Sequence, residues 1–250
     1  MNTSHAPRPF LAAVLLLTAS LSGGACNTSG ESVSAEPTAE ELAAEASVKP
    51  GINDSWKSEE IGPLIARLEP ESREVFTQRG LIASVVGPRP GSAVADVGAG
   101  SGFMAHLFSR IVGPEGKVYA VDINASLLEH IDRAARDKGL ANLETVHCTE
   151  KSVELPPESV DIVFVCDTYH HFEYPKNTLS TIHRALRPGG QLVIIDFERI
   201  EGVSRDWILG HVRASKQVFT AEIEAAGFIL TNEHDLEALE DNYILRFEKR

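Results

Sequence analysis

Cysteine is scarce in this chain, with three in 250 residues, at Cys26, Cys148 and Cys166. No pair has the short spacing that a structural zinc site needs, so no metal ligand set is expected. Cys148 and Cys166 fall in apolar runs where inert packing is the ordinary role, and a disulfide between them stays open. Positive charge is also short. Lys and Arg number 23 against 36 Asp and Glu, for a net charge of −13. A general DNA- or RNA-binding surface needs clustered Lys and Arg, so nucleic acid is excluded as a partner and a small-molecule acceptor fits better. No apolar run is long enough to span a bilayer, and no internal repeat is visible. What is present, 43% hydrophobic and 24% charged residues, suffices for one good-sized core behind a leader.

The leader occupies residues 1–25. Arg8 gives a weakly positive start, Phe10 to Leu21 is a short apolar core, and Ser22-Gly23-Gly24-Ala25 ends it with small residues before Cys26. That layout is a secretory signal peptide. Small residues before a cysteine resemble a bacterial lipoprotein box, in which Cys26 is lipidated and anchors the protein to a membrane, although Gly23 stands where leucine is usual. Ordinary cleavage after Ala25 is the alternative, and cytoplasmic residence stays open. Residues 26–50 are rich in Ser, Ala and Glu and read as a disordered tether. Residues 51–250 then form the domain.

Within that domain, Ala93-Val94-Ala95-Asp96-Val97 reads as a buried strand, and Phe103, Leu107, Phe108 and Ile111 have helical spacing. Between them lies Gly98-Ala99-Gly100-Ser101-Gly102. A strand, a glycine-rich turn and a helix start place bare backbone N–H groups beside a ligand. The dinucleotide fingerprint requires a glycine where Phe103 stands, which disfavours a nicotinamide site. The next strand, Lys117 to Asp122, ends on a carboxylate about 20 residues past the turn, where doubly wound folds meet the ribose hydroxyls of an adenosine. Asn124 is the better cap for the helix that follows.

Further strands are expected at Leu143–Cys148, Val160–Cys166, Gln191–Phe197, after Gly227, and at Asn242–Glu248. A helix starts at Pro175 and stops before Arg187-Pro188-Gly189-Gly190. The acidic-x-Gly-x-Gly-x-Gly run from Asp96 to Gly102 resembles the first motif of the class I S-adenosylmethionine (SAM) methyltransferases. Leu186-Arg187-Pro188-Gly189-Gly190-Gln191-Leu192 and Glu224-Ala225-Ala226-Gly227-Phe228 are similar to further markers of that superfamily. The run from Cys166 to Pro175, His211-Val212-Arg213-Ala214 and the Tyr243–Phe247 end look like a bacterial methyltransferase-domain group of unassigned substrate.

The resemblance implies an α/β, Rossmann-like, doubly wound seven-stranded mixed sheet with an antiparallel last strand, and SAM as cofactor. It implies an enzyme that aligns a small acceptor with the methyl group, the alternative being a non-catalytic nucleoside binder tethered at a membrane. Asp96, Gly98, Gly100, Gly102, Asp122 and Asp167 are the expected cofactor contacts. Glu150, or Ser152 beside it, is expected near the adenine. A general base, if the acceptor must lose a proton, is expected at His170 or His171, with Asp167, Tyr169 and His211 nearby. Trp56 is expected either to wall the acceptor pocket or to pack on the core.

Overall fold

The computed structural model describes residues 37–70 and 73–250. The expected signal peptide, Cys26 and the first part of the expected tether lie outside them. Seven strands, β1 (Ala93–Val97), β2 (Lys117–Asp122), β3 (Leu143–His147), β4 (Val160–Cys166), β5 (Leu186–Phe197), β6 (Phe228–His234) and β7 (Asn242–Lys249), join in one sheet. Their order is β3-β2-β1-β4-β5-β7-β6. The pairings of β1 with β2 and β4, of β2 with β3, and of β4 with β5 are parallel, and β7 runs antiparallel to both its neighbours. This is the expected mixed sheet, and its strand order reverses between β1 and β4.

The helices among the described residues are α1 (Ala39–Ala43), α2 (Ile61–Leu68), α3 (Glu74–Thr77), α4 (Arg79–Val86), α5 (Phe103–Val112), α6 (Ala125–Asp137), α7 (Pro175–Ala185), α8 (Asp206–His211) and α9 (Lys216–Ala225). Asn124 caps α6, its side-chain oxygen accepting from the Leu127 N–H at 3.0 Å. Gly227 follows α9 with φ +91°, a conformation glycine adopts without steric cost.

Side chains of the central strands alternate between two cores. Ala95, Val163, Leu192 and Ile194 enter one, while Val94, Phe164, Val193 and Ile195 enter the other. Strands covered on both faces are near-continuous apolar runs, which is why these do not read as alternating ones. Phe108 of α5 and Phe164 of β4 meet edge-on at 5.2 Å, both fully buried. Each such side chain contributes roughly 1.5–3 kcal/mol by leaving water.

Two local expectations change, at β5 and in residues 38–50. β5 starts at Leu186 rather than Gln191, because Leu186 already pairs with Val160 across an irregularity in the β4 register. Residues 38–50, expected to belong to a disordered tether, are ordered. Thr38 and Glu41 form a capping box on α1. Glu45 then accepts from the backbone N–H groups of Lys176 and Asn177 at 2.8 and 2.9 Å. Those are orphan donors of α7, whose own N-cap, Tyr174, supplies no side-chain bond. Composition suggested disorder because the partner of Glu45 is remote in sequence. No helix among the described residues is long and apolar enough to cross a membrane.

Candidate cofactor and acceptor site

Ligands of doubly wound folds bind at the carboxyl edge where strand order reverses. A cleft opens there, lined by Asp96, Gly98, Gly100, Asp122, Glu150, Ser152 and Asp167 among others. The structure therefore brings together every expected cofactor contact except Gly102. That glycine lies outside the cleft lining. It precedes α5 with φ +80°, and a Cβ on it would fall 2.7 Å from Ile131 Cγ1. Gly102 thus lets α5 pack against α6.

The glycine turn does not offer bare N–H groups in the way its sequence suggests. The Gly98 and Ala99 N–H groups both donate to the Val121 carbonyl, at 2.8 and 3.0 Å. The Gly100 N–H donates to Asp122 Oδ2 at 2.8 Å. These donors stitch the turn to β2, so the turn approaches a ligand by lacking side chains, not by presenting a phosphate cradle. Gly98 has φ +76°, and a Cβ there would overlap the Thr168 side chain.

Asp122 is 7% exposed and also accepts from the Asn124 N–H, through Oδ1 at 2.8 Å. Burial raises its carboxyl above the usual range, against the backbone donors that lower it. Each oxygen keeps a second lone pair for a ribose hydroxyl. Asp122→Ala is expected to weaken SAM and its demethylated product equally, by roughly 1.5–3 kcal/mol. Calorimetric titration with both ligands checks this, and an unchanged affinity for both would leave Asp122 as an anchor of the turn alone.

Asp96 is more deeply buried, and its Oδ2 has no partner. Burial pushes its carboxyl up to about 7, with Asp122 adding to the effect and the Ala105 backbone opposing it. A displacement of that size corresponds to roughly 4 kcal/mol. As pH falls through about 7 the folded chain takes up this proton, while the unfolded chain does so only near 3.8. The carboxylate therefore destabilises the fold most at high pH, and the penalty fades on acidification. Asp96→Asn is expected to raise the melting temperature at pH 8 and to lose most of that gain by pH 5. Thermal melts at both values decide it.

Glu150 lines the cleft, with its Oε1 paired to Lys57 at 2.6 Å. Asp167 has φ +47° and both its oxygens are engaged, Oδ2 with Arg73 at 2.7 Å and Oδ1 with Asn242 at 2.6 Å. It ties the segment before α3 and the start of β7 to the end of β4, and it is not free to act as a base. Cys148 and Cys166 are free thiols, and burial pushes Cys148 up to about 12, so both are inert at neutral pH.

A second cavity shares Trp56, Leu68, Arg73, Asp167 and His171 with the first. Trp56 therefore walls both, under a cation–π contact from Arg67 at 4.7 Å. Asn124 Nδ2 donates to the Trp56 and Ser58 carbonyls at 2.6 and 2.8 Å, pinning this segment beside the Asp122 end of the cleft.

His170, His171 and His211 meet in the second cavity, with ring centroids 4.3 to 5.0 Å apart. His170 Nδ1 and its backbone N–H both face the fully buried Asp196, at 2.7 and 3.0 Å. A carboxylate accepts, so Nδ1–H donates and the neutral ring keeps its lone pair on Nε2. Burial and the neighbouring His170 lower His171 to about 2, making it a poor proton acceptor. Burial likewise lowers His211 to about 4. Tyr169 packs, with its hydroxyl on Glu222 at 2.9 Å.

Arg73 and Asp196 were not singled out from sequence. Arg73 carries no local signal. Asp196 does, as the one acid in the apolar run from Leu192 to Phe197.

Residues 95–194 match the methyltransferase-domain family. A SAM-dependent methyltransferase from Aquifex aeolicus is 27% identical and superposes with a TM-score of 0.64 over 74% of this chain and 96% of its own. The fold and these matches support the class I SAM-dependent methyltransferase superfamily. A ubiquinone/menaquinone biosynthesis C-methyltransferase, UbiE, of Hahella chejuensis is 35% identical over 114 residues, 45% of this chain and 46% of its own. The chain thus spans less than half the length of that curated relative. The [4+2]-cyclase SpnF, 17% identical with a TM-score of 0.59 over 69% of this chain and 80% of its own, shares the fold. The residues fit SAM, the cofactor of this superfamily. Two buried acids, Asp96 and Asp122, face the cleft with one oxygen of Asp96 unpartnered, and the cofactor carries positive charge.

Proposed function

We propose that this chain transfers a methyl group from SAM to a small-molecule acceptor held in the second cavity. The observation that carries the reading is the contact between the two cavities, through Trp56 and His171, at the carboxyl edge of β1 and β4. SAM supplies a methyl carbon already activated on a sulfonium, so transfer is an in-line displacement. Asp122 and the glycine turn fix one reactant, and the Trp56 segment closes over it. Orientation of this kind is worth roughly 7–11 kcal/mol when the geometry is good. For an acceptor that must lose a proton, His170 is the base, since it belongs to the second cavity and Asp196 takes its Nδ1–H, which leaves the lone pair on Nε2.

Calorimetry with SAM and its demethylated product is expected to show one site per chain. Incubation with methyl-labelled SAM and a metabolite extract is then expected to yield a labelled small molecule, read by mass spectrometry. Failure to bind either ligand overturns the reading. Binding without turnover returns the non-catalytic binder, and the shared fold of a cyclase shows why turnover must be measured.

We also propose export and lipid anchoring at Cys26, supported by the short apolar run and small residues that precede it. The mature N-terminus is expected to be an acylated Cys26, and Cys26→Ser is expected to move the protein out of the membrane fraction. Mass spectrometry finding an unmodified Cys26 terminus would mean ordinary secretion, and an intact Met1 no export.

A further inference from the structure

Three imidazoles converge in the second cavity from two distant segments, His170 and His171 in the turn after β4 and His211 at the end of α8. One nitrogen of each lies within 4.8 Å of the other two. His170 Nε2 and His171 Nδ1 are shut off from solvent without a hydrogen-bond partner, in side chains of residues 1% and 8% exposed. A buried unpartnered polar atom costs about 1–3 kcal/mol, and packing alone does not require two of them side by side. Asp196, fully buried, takes the opposite nitrogen of His170, the arrangement that fixes the tautomer and orientation of a metal-ligating histidine.

We propose that His170, His171 and His211 bind one divalent transition ion of the zinc type, with a fourth position open to the second cavity. A tetrahedral ion with bonds of about 2.0–2.1 Å needs its nitrogens roughly 3.4 Å apart, so the rings must close by about 1.4 Å at most, within reach of side-chain rotation. An all-imidazole set selects zinc, copper or nickel over magnesium or calcium. Lys49 and Arg67 stand close enough to act on His211 and oppose a cation. The Lys49 ammonium is engaged by the His211 carbonyl at 2.8 Å, the Arg67 guanidinium lies over Trp56, and the Asp196 carboxylate offsets them from beneath His170. The sequence hides this site because its ligands have no local metal-binding spacing. A bound ion would occupy the lone pair that otherwise receives a proton, and would present its open position to an acceptor hydroxyl or thiol.

The test uses the full chain, stripped with chelator and titrated with Zn²⁺ by calorimetry in the absence of SAM, which separates it from the transferase reading. Titration with Co²⁺ follows the visible absorption of four-coordinate cobalt. One equivalent per chain and a four-coordinate spectrum are expected. His211→Ala, at a half-buried position, and His170→Ala are expected to weaken binding by about 100-fold or more, and Asp196→Asn by about 10–100-fold. His147→Ala, at an exposed position, leaves binding unchanged. Thermal melts verify that each variant is folded. No saturable Zn²⁺ binding overturns the proposal. Binding that His211→Ala leaves intact places the ion elsewhere in the chain and overturns it equally.

Discussion

Gly98→Val is expected to leave a chain that takes up no detectable SAM and melts well below the parent. The sequence alone suggests the first effect without the second, because a side chain at Gly98 should fill ligand space and spare the fold. The structure supplies a further reason. Gly98 has φ +76°, and the space into which a Cβ would project is already filled by Thr168. An L-residue held in the left-handed region costs roughly 1–2 kcal/mol, and a β-branched one costs more. Overpacking adds about 1–3 kcal/mol. Relief by moving Thr168 would disturb the end of β4, where Asp167 lines both cavities. Together these give a loss of about 2–5 kcal/mol, or roughly 5–20 °C in a domain of this size. Calorimetric titration below the melting transition and differential scanning calorimetry read the two effects separately. Wild-type affinity for SAM in the variant would move the cofactor away from this turn, whatever happened to stability.

That prediction shows where sequence suffices and where it fails. The bounds of β1, β2 and β4 are legible because doubly covered strands are near-continuous apolar runs, and a carboxylate ends the second of them. Asn124 caps α6 as its chemistry dictates, and Asp122 lines the cleft. The role of each glycine is less legible. Gly98 and Gly100 line the cleft, whereas Gly102 answers to Ile131 on another helix, and the same residue type in one run encodes both. Contacts between remote segments leave no pattern at all. Glu45 completes α7, Asn53 donates to the His171 carbonyl at 3.2 Å, and Arg73 reaches Asp167, each across a long stretch of chain. These contacts fold the N-terminal segments over the two cavities, so the covering part of the site is the part that local sequence describes least.

Arg73→Ala is expected to be the most destabilising single change at this edge, with a loss of about 3–5 kcal/mol. Asp167 sits on a left-handed backbone with its side chain 4% exposed, and the Arg73 guanidinium is 2.7 Å away. Burial raises the Asp167 carboxyl above its usual range, and Arg73 is the main influence holding it down. Without Arg73 only Asn242 remains to satisfy it, and Nη1 of Arg73 also releases the Leu68 carbonyl that it holds at 2.8 Å. The folded state of the variant then favours protonated Asp167 still more strongly. A carboxyl raised above its unfolded value destabilises the fold at high pH and recovers as pH falls through its folded value. The deficit against the parent is therefore expected to be largest at pH 8 and smaller at pH 5. Asp167→Asn in the Arg73→Ala background should recover much of the loss at pH 8, because an amide needs no counter-charge. Thermal melts of the two single variants and the double variant at both pH values form the test. A deficit independent of pH and unrelieved by Asp167→Asn would mean that Arg73 acts through packing and the Leu68 carbonyl instead of through the buried carboxylate.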